Sequence, residues 1–229
     1  MKWLTPGGVA AALAVGIAVS WGLSWRGLAA LSAFFISGSL LTQLTERRGP
    51  RRGARQVIAN GGVAAVSALF GAWTAAAGAL AAAAADTWAT EIGAFSPLPP
   101  RLITTGRRVT RGTSGGMTAL GTLGGVAGAA MIALLAALLE PQGAAPGSAA
   151  LIGCAGVVGM VFDSVLGATV QGKYACPECD ARFERGNTVC HQPVRLTGGW
   201  RWLDNDGVNL AATLCGAATV AFGSRFAPR

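Results

Sequence analysis

Charge is what this chain has least of. Lysine, arginine, aspartate and glutamate together make up 12% of its 229 residues, and only ten of them are acidic. A soluble domain carries about a quarter charged residues. Half that share, beside 52% hydrophobic residues, argues against a water-soluble globule and for an integral membrane protein. Also missing are a basic helix with interleaved aromatics and any nucleic-acid-binding motif, so the net charge of +8 does not imply a nucleic-acid partner. The N-terminal apolar run is followed by no A-x-A-like cleavage site and soluble mature domain, so it is read as a membrane helix rather than a signal peptide. What is plentiful is alanine and glycine, the composition of closely packed membrane helices.

Apolar runs predict an all-α, polytopic bundle of about seven transmembrane helices at 5–22, 27–44, 56–71, 73–93, 116–139, 148–171 and 206–223, each near the length a bilayer requires. The third and fourth runs divide least clearly, since 57–85 reads either as one long helix or as a tight hairpin near Gly71. Charge placement arbitrates. Five Lys and Arg lie at 47–55, four at 101–111 and five at 173–201. With seven helices all three loops share one side with the N-terminus, and positive residues mark that side as cytoplasmic. The chain reads as one integral membrane domain, 1–229, of the cell inner membrane, with a cytoplasmic Cys-rich loop at 172–200. Gly121, Gly124, Gly125 and Gly128 give the fifth run a small-residue packing face.

The scarce acids are placed as unevenly as the bases. No charge intervenes between Arg55 and Asp86, yet "ADTWATEIG" at 85–93 ends that run with Asp86 and Glu91. Asp163 lies about two turns inside the sixth run, on a stripe with Gly167 and Gln171. Asp204 and Asp206 open the seventh. An intramembrane carboxylate points to function by default, although Asp204 could simply cap its helix. Asp86 and Glu91 stand ~140° apart on an ideal helix, so either the helix breaks near Thr90 or only one of them reaches a site. Carboxylates in a basic setting suit Mg²⁺, which binds through one or two of them plus substrate phosphates. Asp86, Asp163 and Asp206 are its predicted holders, with Glu91 as a further catalytic candidate.

Between the fourth and fifth runs, "RLITTGRRVTRGTSGG" sets Arg107, Arg108 and Arg111 before a small-residue turn, Gly112, Thr113, Ser114, Gly115 and Gly116. A turn of this kind opening a helix binds anions through its backbone N–H groups. It is not a Walker A sequence; with arginines and acids on the same side, it points to phosphoryl transfer. Gln56, Asn60 and Asn209 are candidates for hydrogen bonds to a lipid phosphate. In "CPECDARFERGNTVCH", Cys176, Cys179, Cys190 and His191 supply a Cys₃His inventory that could hold a structural zinc, the alternative being a reduced, solvated loop.

The stretches "QVIANGG" (56–62), "ADTWATEIG" (85–93), "PRLITTGRRVTRGTSGGMTALGT" (100–122), "DSVLGATVQ" (163–171) and "LDNDGVNLAAT" (203–213) together resemble domain-of-unknown-function family ninety-two of multi-pass membrane proteins. That family includes plant phytyl-phosphate kinase, and it looks distantly like the CTP-dependent polyprenol and phytol kinases. The resemblance implies a kinase that transfers a phosphoryl group from a nucleoside triphosphate, CTP or ATP, to an isoprenyl monophosphate. The rivals are a kinase acting on the prenyl alcohol and an ion-coupled transporter using Asp86 and Asp163. Against the transporter stand the absence of an inverted repeat and the clustering of acids on one side rather than at midplane.

Overall fold

A computed structural model describes residues 3–45, 51–140 and 147–225. Arg47, Arg48 and Arg229, three of the arginines weighed for topology, lie outside the described residues. The architecture is helical: α1 (Pro6–Leu44), α2 (Ala54–Leu69), α3 (Trp73–Gly93), α4 (Ala119–Leu139), α5 (Ser148–Thr169) and α6 (Asn205–Gly223). Two small sheets join them. One pairs β1 (Arg101–Leu102) with β2 (Gly116–Met117); the other has β3 (Lys173–Ala175) between β4 (Arg182–Phe183) and β5 (Arg195–Gly198), all antiparallel.

Among the described residues six helices supply seven rods because α1 folds back on itself. Ser24 takes φ 54°, ψ −157°, which breaks the hydrogen-bond ladder and reverses the chain. The two limbs then lie side by side, with Trp3 edge-on to Phe35 at 5.8 Å. The predicted runs 5–22 and 27–44 correspond to these limbs. Between α2 and α3 the chain turns at Gly71, φ 66°. There Gly71 N–H donates to Ala68 O (2.8 Å) and Ala72 N–H to Ser67 O (2.9 Å), a Schellman closure that requires a residue tolerant of positive φ. Among the described residues three helices, α1, α4 and α5, are long and apolar enough to cross a bilayer by length and composition. Their exposed faces carry Leu13, Ile17, Leu134, Leu138 and Val158.

The centre of the bundle is α3, whose Ala79–Ala85 stretch is buried throughout. Alanine favours the helix and lets neighbouring backbones come close. The small-residue face expected on α4 packs here: a Cβ on Gly125 would stand 3.0 Å from Ala85 O, and one on Gly128 2.8 Å from Ala84 O. On another side α6 crosses α3 where Gly216 meets Gly78. A Cβ on Gly216 would lie 2.5 Å from Gly78 O and 2.8 Å from Ala82 Cβ. Gly216→Val is therefore expected to lower stability by about 1–3 kcal/mol through overpacking. Thermal unfolding in detergent checks this, with Gly198→Ala, where an added Cβ meets nothing within 4 Å, left at the wild-type midpoint.

This packing gathers the functional loops. The N-terminus pairs with the segment before α2 (Leu4 with Arg52), Arg111 reaches the C-terminus of α3, and Ser114 reaches Glu184 in the 172–200 insert. The N-terminus, the arginines at 51–55, the 94–118 connection and the insert thus share one end of the bundle. Ser24 and Gly71 turn the chain at the other.

Candidate functional site

A cavity of about 760 Å³ opens at that shared end. It takes in Asp86 and Glu91 from α3, Asp163 from α5, Asp204 and Asp206 from the start of α6, and the turn from Gly112 to Gly116. Its flank is apolar and belongs to α1, with Val15, Leu28, Leu31, Phe34 and Phe35. One space therefore joins carboxylates and a backbone-rich loop to a hydrocarbon-like wall.

The carboxylates are held in different ways. Asp86 accepts no hydrogen bond from any described residue, and it faces Asp163 closely enough for the two charges to repel. Asp163 is oriented by α6. With its amide turned to satisfy both atoms, Asn209 donates to Asp163 Oδ2 (3.0 Å) and to Asn205 O (3.2 Å). Glu91 is occupied at both oxygens, by Thr42 Oγ1 (2.8 Å) and Thr45 Oγ1 (2.7 Å) from the end of α1. Asp204 caps α6 by accepting from Gly207 N–H (3.1 Å), and Arg55 bridges it to Asp206 at 2.8 and 3.9 Å.

Helix α3 does not break at Thr90, and both Asp86 and Glu91 line the cavity, which wraps around the end of the helix. Asp86, Asp163 and Asp206 do not converge on a point as the thiols of the insert do. Among the described residues, the only cluster of three or more such ligand atoms is Cys176, Cys179, Cys190 and His191. The acids fit a cation that takes one or two carboxylates and fills its other positions with water or phosphate.

The glycine-rich turn docks on the α5 stripe seen in the sequence. Gly115 has φ 78°, and a Cβ there would stand 2.5 Å from Ser164 O. Gly167 lies against its N–H, and the buried Gln171 donates to Ser114 Oγ (3.2 Å). The turn does not open a helix directly, contrary to expectation. Strand β2 intervenes, and α4 begins at Ala119 with Thr118 as its cap, accepting from Gly121 N–H at 2.9 Å.

Three arginine assignments change. Arg107 and Arg108 are exposed and stand outside the cavity, because the β1 hairpin takes up their backbone: Leu102 N–H donates to Arg107 O (2.9 Å), and Arg108 pairs with Arg101. Arg111 does line the cavity, but its guanidinium donates to Ala94 O (3.2 Å) and Ser96 O. Those carbonyls follow the end of α3, so Arg111 fastens the loop to that helix. Arg111→Ala is expected to loosen the loop from α3, which a rise in amide exchange at 110–116 with α4 unchanged would reveal.

Gln56 and Asn60 line the cavity as expected, with Asn60 Nδ2 donating to Gln56 O (3.0 Å). Asn209 lines it too, as the residue that positions Asp163. The cavity also takes in residues the sequence reading passed over. Arg52 was read only as a topology charge; it sits over the Phe35 ring (5.7 Å) and faces Glu91. Its burial pulls the guanidinium below its usual range, the Glu91 charge partly offsetting this. Glu184 and Arg185 reach the rim from the insert, Glu184 accepting from Ser114 Oγ and Arg185 attracting Asp206.

Fold and cavity together define a helical membrane protein with a polar pocket at one end. The chain matches the model of the family "Integral membrane protein DUF92" over residues 1–217 and belongs to that family. It is 30% identical to Protein PGR of Arabidopsis thaliana, over 91% of this chain and 84% of that protein. It is 34% identical to an uncharacterized membrane protein of Methanocaldococcus jannaschii over 72% of this chain and 74% of the other. An uncharacterized membrane protein of Synechocystis is 30% identical over 97% and 83% respectively. No solved structure matches.

Proposed function

We propose that this protein is a membrane-embedded kinase that transfers the terminal phosphoryl group of a nucleoside triphosphate, CTP or ATP, to an isoprenyl monophosphate such as phytyl or polyprenyl phosphate. The observation that carries the reading is the mixed character of this cavity, with acids and a glycine-rich turn beside an apolar wall from α1. A prenyl chain stays in hydrocarbon while its phosphate meets a water-soluble nucleotide, so such a reaction belongs at a membrane boundary. The resemblance stated above points the same way.

In this reading the seven rods cross the inner membrane and the site end faces the cytoplasm. The arginines described at that end agree with this, against Arg26 and Arg225 at the other. Trp21 and Trp25 at one end and the stacked Trp200–Trp202 pair at the other fit two interfacial aromatic belts.

The acceptor is a phosphate monoester, whose second pKa is about 6. It reaches the site largely as a dianion, with an oxygen free to attack the terminal phosphorus. A new P–O bond forms there, the bond to the bridging oxygen breaks, and the nucleoside diphosphate leaves with that electron pair. No general base is needed, which frees the carboxylates for another task. The oxygen-only donor set of Asp86 and Asp163 fits Mg²⁺, which when bound would neutralise charge developing on the transferred group. Asp163 is kept in place by Asn209, and Asp206 acts through water. In the turn the N–H groups of Thr113 and Gly116 are taken by Thr110 O (3.2 Å) and Thr113 O (2.9 Å), so nucleotide phosphates are received at Ser114 and Gly115, while Gln56, Asn60 and Arg52 hold the acceptor phosphate. A prenyl alcohol would need a base for its hydroxyl proton as well, so the monophosphate is the acceptor that leaves the carboxylates to the metal.

The test is purified protein in nanodiscs with terminally labelled CTP or ATP, Mg²⁺ and a panel of prenyl monophosphates. Label is expected in the prenyl diphosphate. Ion flux through proteoliposomes with no label transfer would support the carrier reading instead.

A further inference from the structure

The insert at 172–200 is too slight to hold its own shape. Within 173–200 only Tyr174, Cys176 and Val194 are buried, and segments of this size usually need a metal or a disulfide. Its turns bring four soft ligands together. Between β3 and β4 the chain closes tightly, with Asp180 at φ 54°, its N–H donating to Cys176 O (3.0 Å), and Cys176 N–H donating to Ala181 O (2.9 Å). This places Cys176 and Cys179 on one knuckle, and the 188–194 turn carries Cys190 and His191 up to them.

The spacings discriminate between the ways four such groups can meet. Cys179 Sγ stands 3.6 Å from Cys190 Sγ, far outside the ~2.05 Å of a disulfide. His191 Nδ1 lies 3.4 Å from Cys190 Sγ and 3.9 Å from Cys176 Sγ, and the four ligand atoms all fall within 4.8 Å of one another. A tetrahedron with zinc–sulfur bonds of about 2.3 Å and a zinc–nitrogen bond of about 2.0 Å has S–S edges of roughly 3.8 Å and S–N edges of roughly 3.5 Å. The separations of 3.6, 3.4 and 3.9 Å are close to those edges, and the remaining pairs lie within 4.8 Å.

The same small sheet carries the two insert residues that reach the cavity. Glu184 and Arg185 follow directly on β4, which pairs with β3 beside the knuckle. Glu184 accepts from Ser114, and Ser114 is gripped from the other side by Gln171 at the root of the insert. The root is itself closed, with Trp200 N–H donating to Val170 O (2.8 Å) and Gly172 N–H to Leu203 O (2.8 Å).

We propose that Cys176, Cys179, Cys190 and His191 bind one structural Zn²⁺, and that this metal holds the insert as a lid whose Glu184 and Arg185 close the cavity over the glycine-rich turn. Four protein ligands leave the metal no open position, so it serves as a staple. The zinc claim stands apart from the kinase reading; that the lid covers a nucleotide rests on it.

The experiment uses tag-free protein in nanodiscs. Metal analysis is expected to find one zinc per chain, and Co²⁺ exchange to give the visible absorption of a tetrahedral thiolate site. Removing zinc with a chelator should raise amide exchange across 173–200 and also at Gly112–Gly116, while α4 and α5 stay protected. Glu184→Gln should keep the zinc but raise exchange at Gly112–Gly116. Protein without zinc that protects the insert equally would overturn the metal site. Zinc release that loosens only the insert would overturn the lid. Neither readout uses turnover, so loss of phosphoryl transfer with zinc and exchange as expected would count against the kinase alone.

Discussion

Asp86→Asn is expected to abolish phosphoryl transfer while leaving the protein folded and inserted. Asp86 lines the cavity on the central helix and accepts no hydrogen bond from a described residue, so the amide leaves no packing partner short of an acceptor. What is lost is the negative charge beside Asp163. Charge stabilisation of this kind is worth several kcal/mol in the transition state, so turnover should fall by about three orders of magnitude. Thermal unfolding checks that the midpoint stays at or above the wild-type value, since a repelling charge has been removed. A variant that turns over normally would take Asp86 out of the site.

Gly115→Ala is expected to have the next largest effect, for a structural reason. The residue sits at φ 78°, and an added Cβ would stand 2.5 Å from Ser164 O and 2.6 Å from Ala168 Cβ. A left-handed alanine costs about 1–2 kcal/mol before any clash, and the obstruction is largely the backbone of α5, which cannot move aside. The turn must lift off the helix, carrying Ser114 away from Gln171 and Glu184. Activity should drop by roughly 10²-fold, as expected when positioning is lost by about an ångström. Amide exchange at 112–116 should rise while α4 and α5 remain protected. Gly112→Ala shares the positive φ, 84°, but meets nothing within 4 Å, so it should cost less.

How much of this was legible in the sequence depended on the range of the interaction. Apolar runs marked where each rod lies, although among the described residues only α1, α4 and α5 have the length and apolarity of a bilayer span. The gap between the runs 5–22 and 27–44 marked the reversal at Ser24, while the turn at Gly71 competed with one long helix until charge placement favoured seven runs. Asp86 and Asp163 stood out because a carboxylate in such a run is rare. Two-residue strands such as β1 and β2 leave no periodic trace, so the turn at 112–116 seemed to lead straight into a helix. Arg111 was read as an anion ligand because its use as a tie for the α3 carbonyls depends on a fold-back no local pattern records. The pairing of Glu91 with Thr42 and Thr45 and the grip of Asn209 on Asp163 are equally tertiary. Glu184 lay hidden in a segment whose cysteines drew the eye.

The most direct test of the central claim is to follow both products at once in nanodiscs. Protein, Mg²⁺, CTP or ATP and phytyl monophosphate are incubated, and mass spectrometry counts nucleoside diphosphate and prenyl diphosphate over time. The account predicts that the two appear in a one-to-one ratio with wild-type protein and that both form about a thousandfold more slowly with Asp86→Asn. Nucleotide hydrolysis with no prenyl diphosphate, or no consumption of nucleotide across the full acceptor panel, would contradict it.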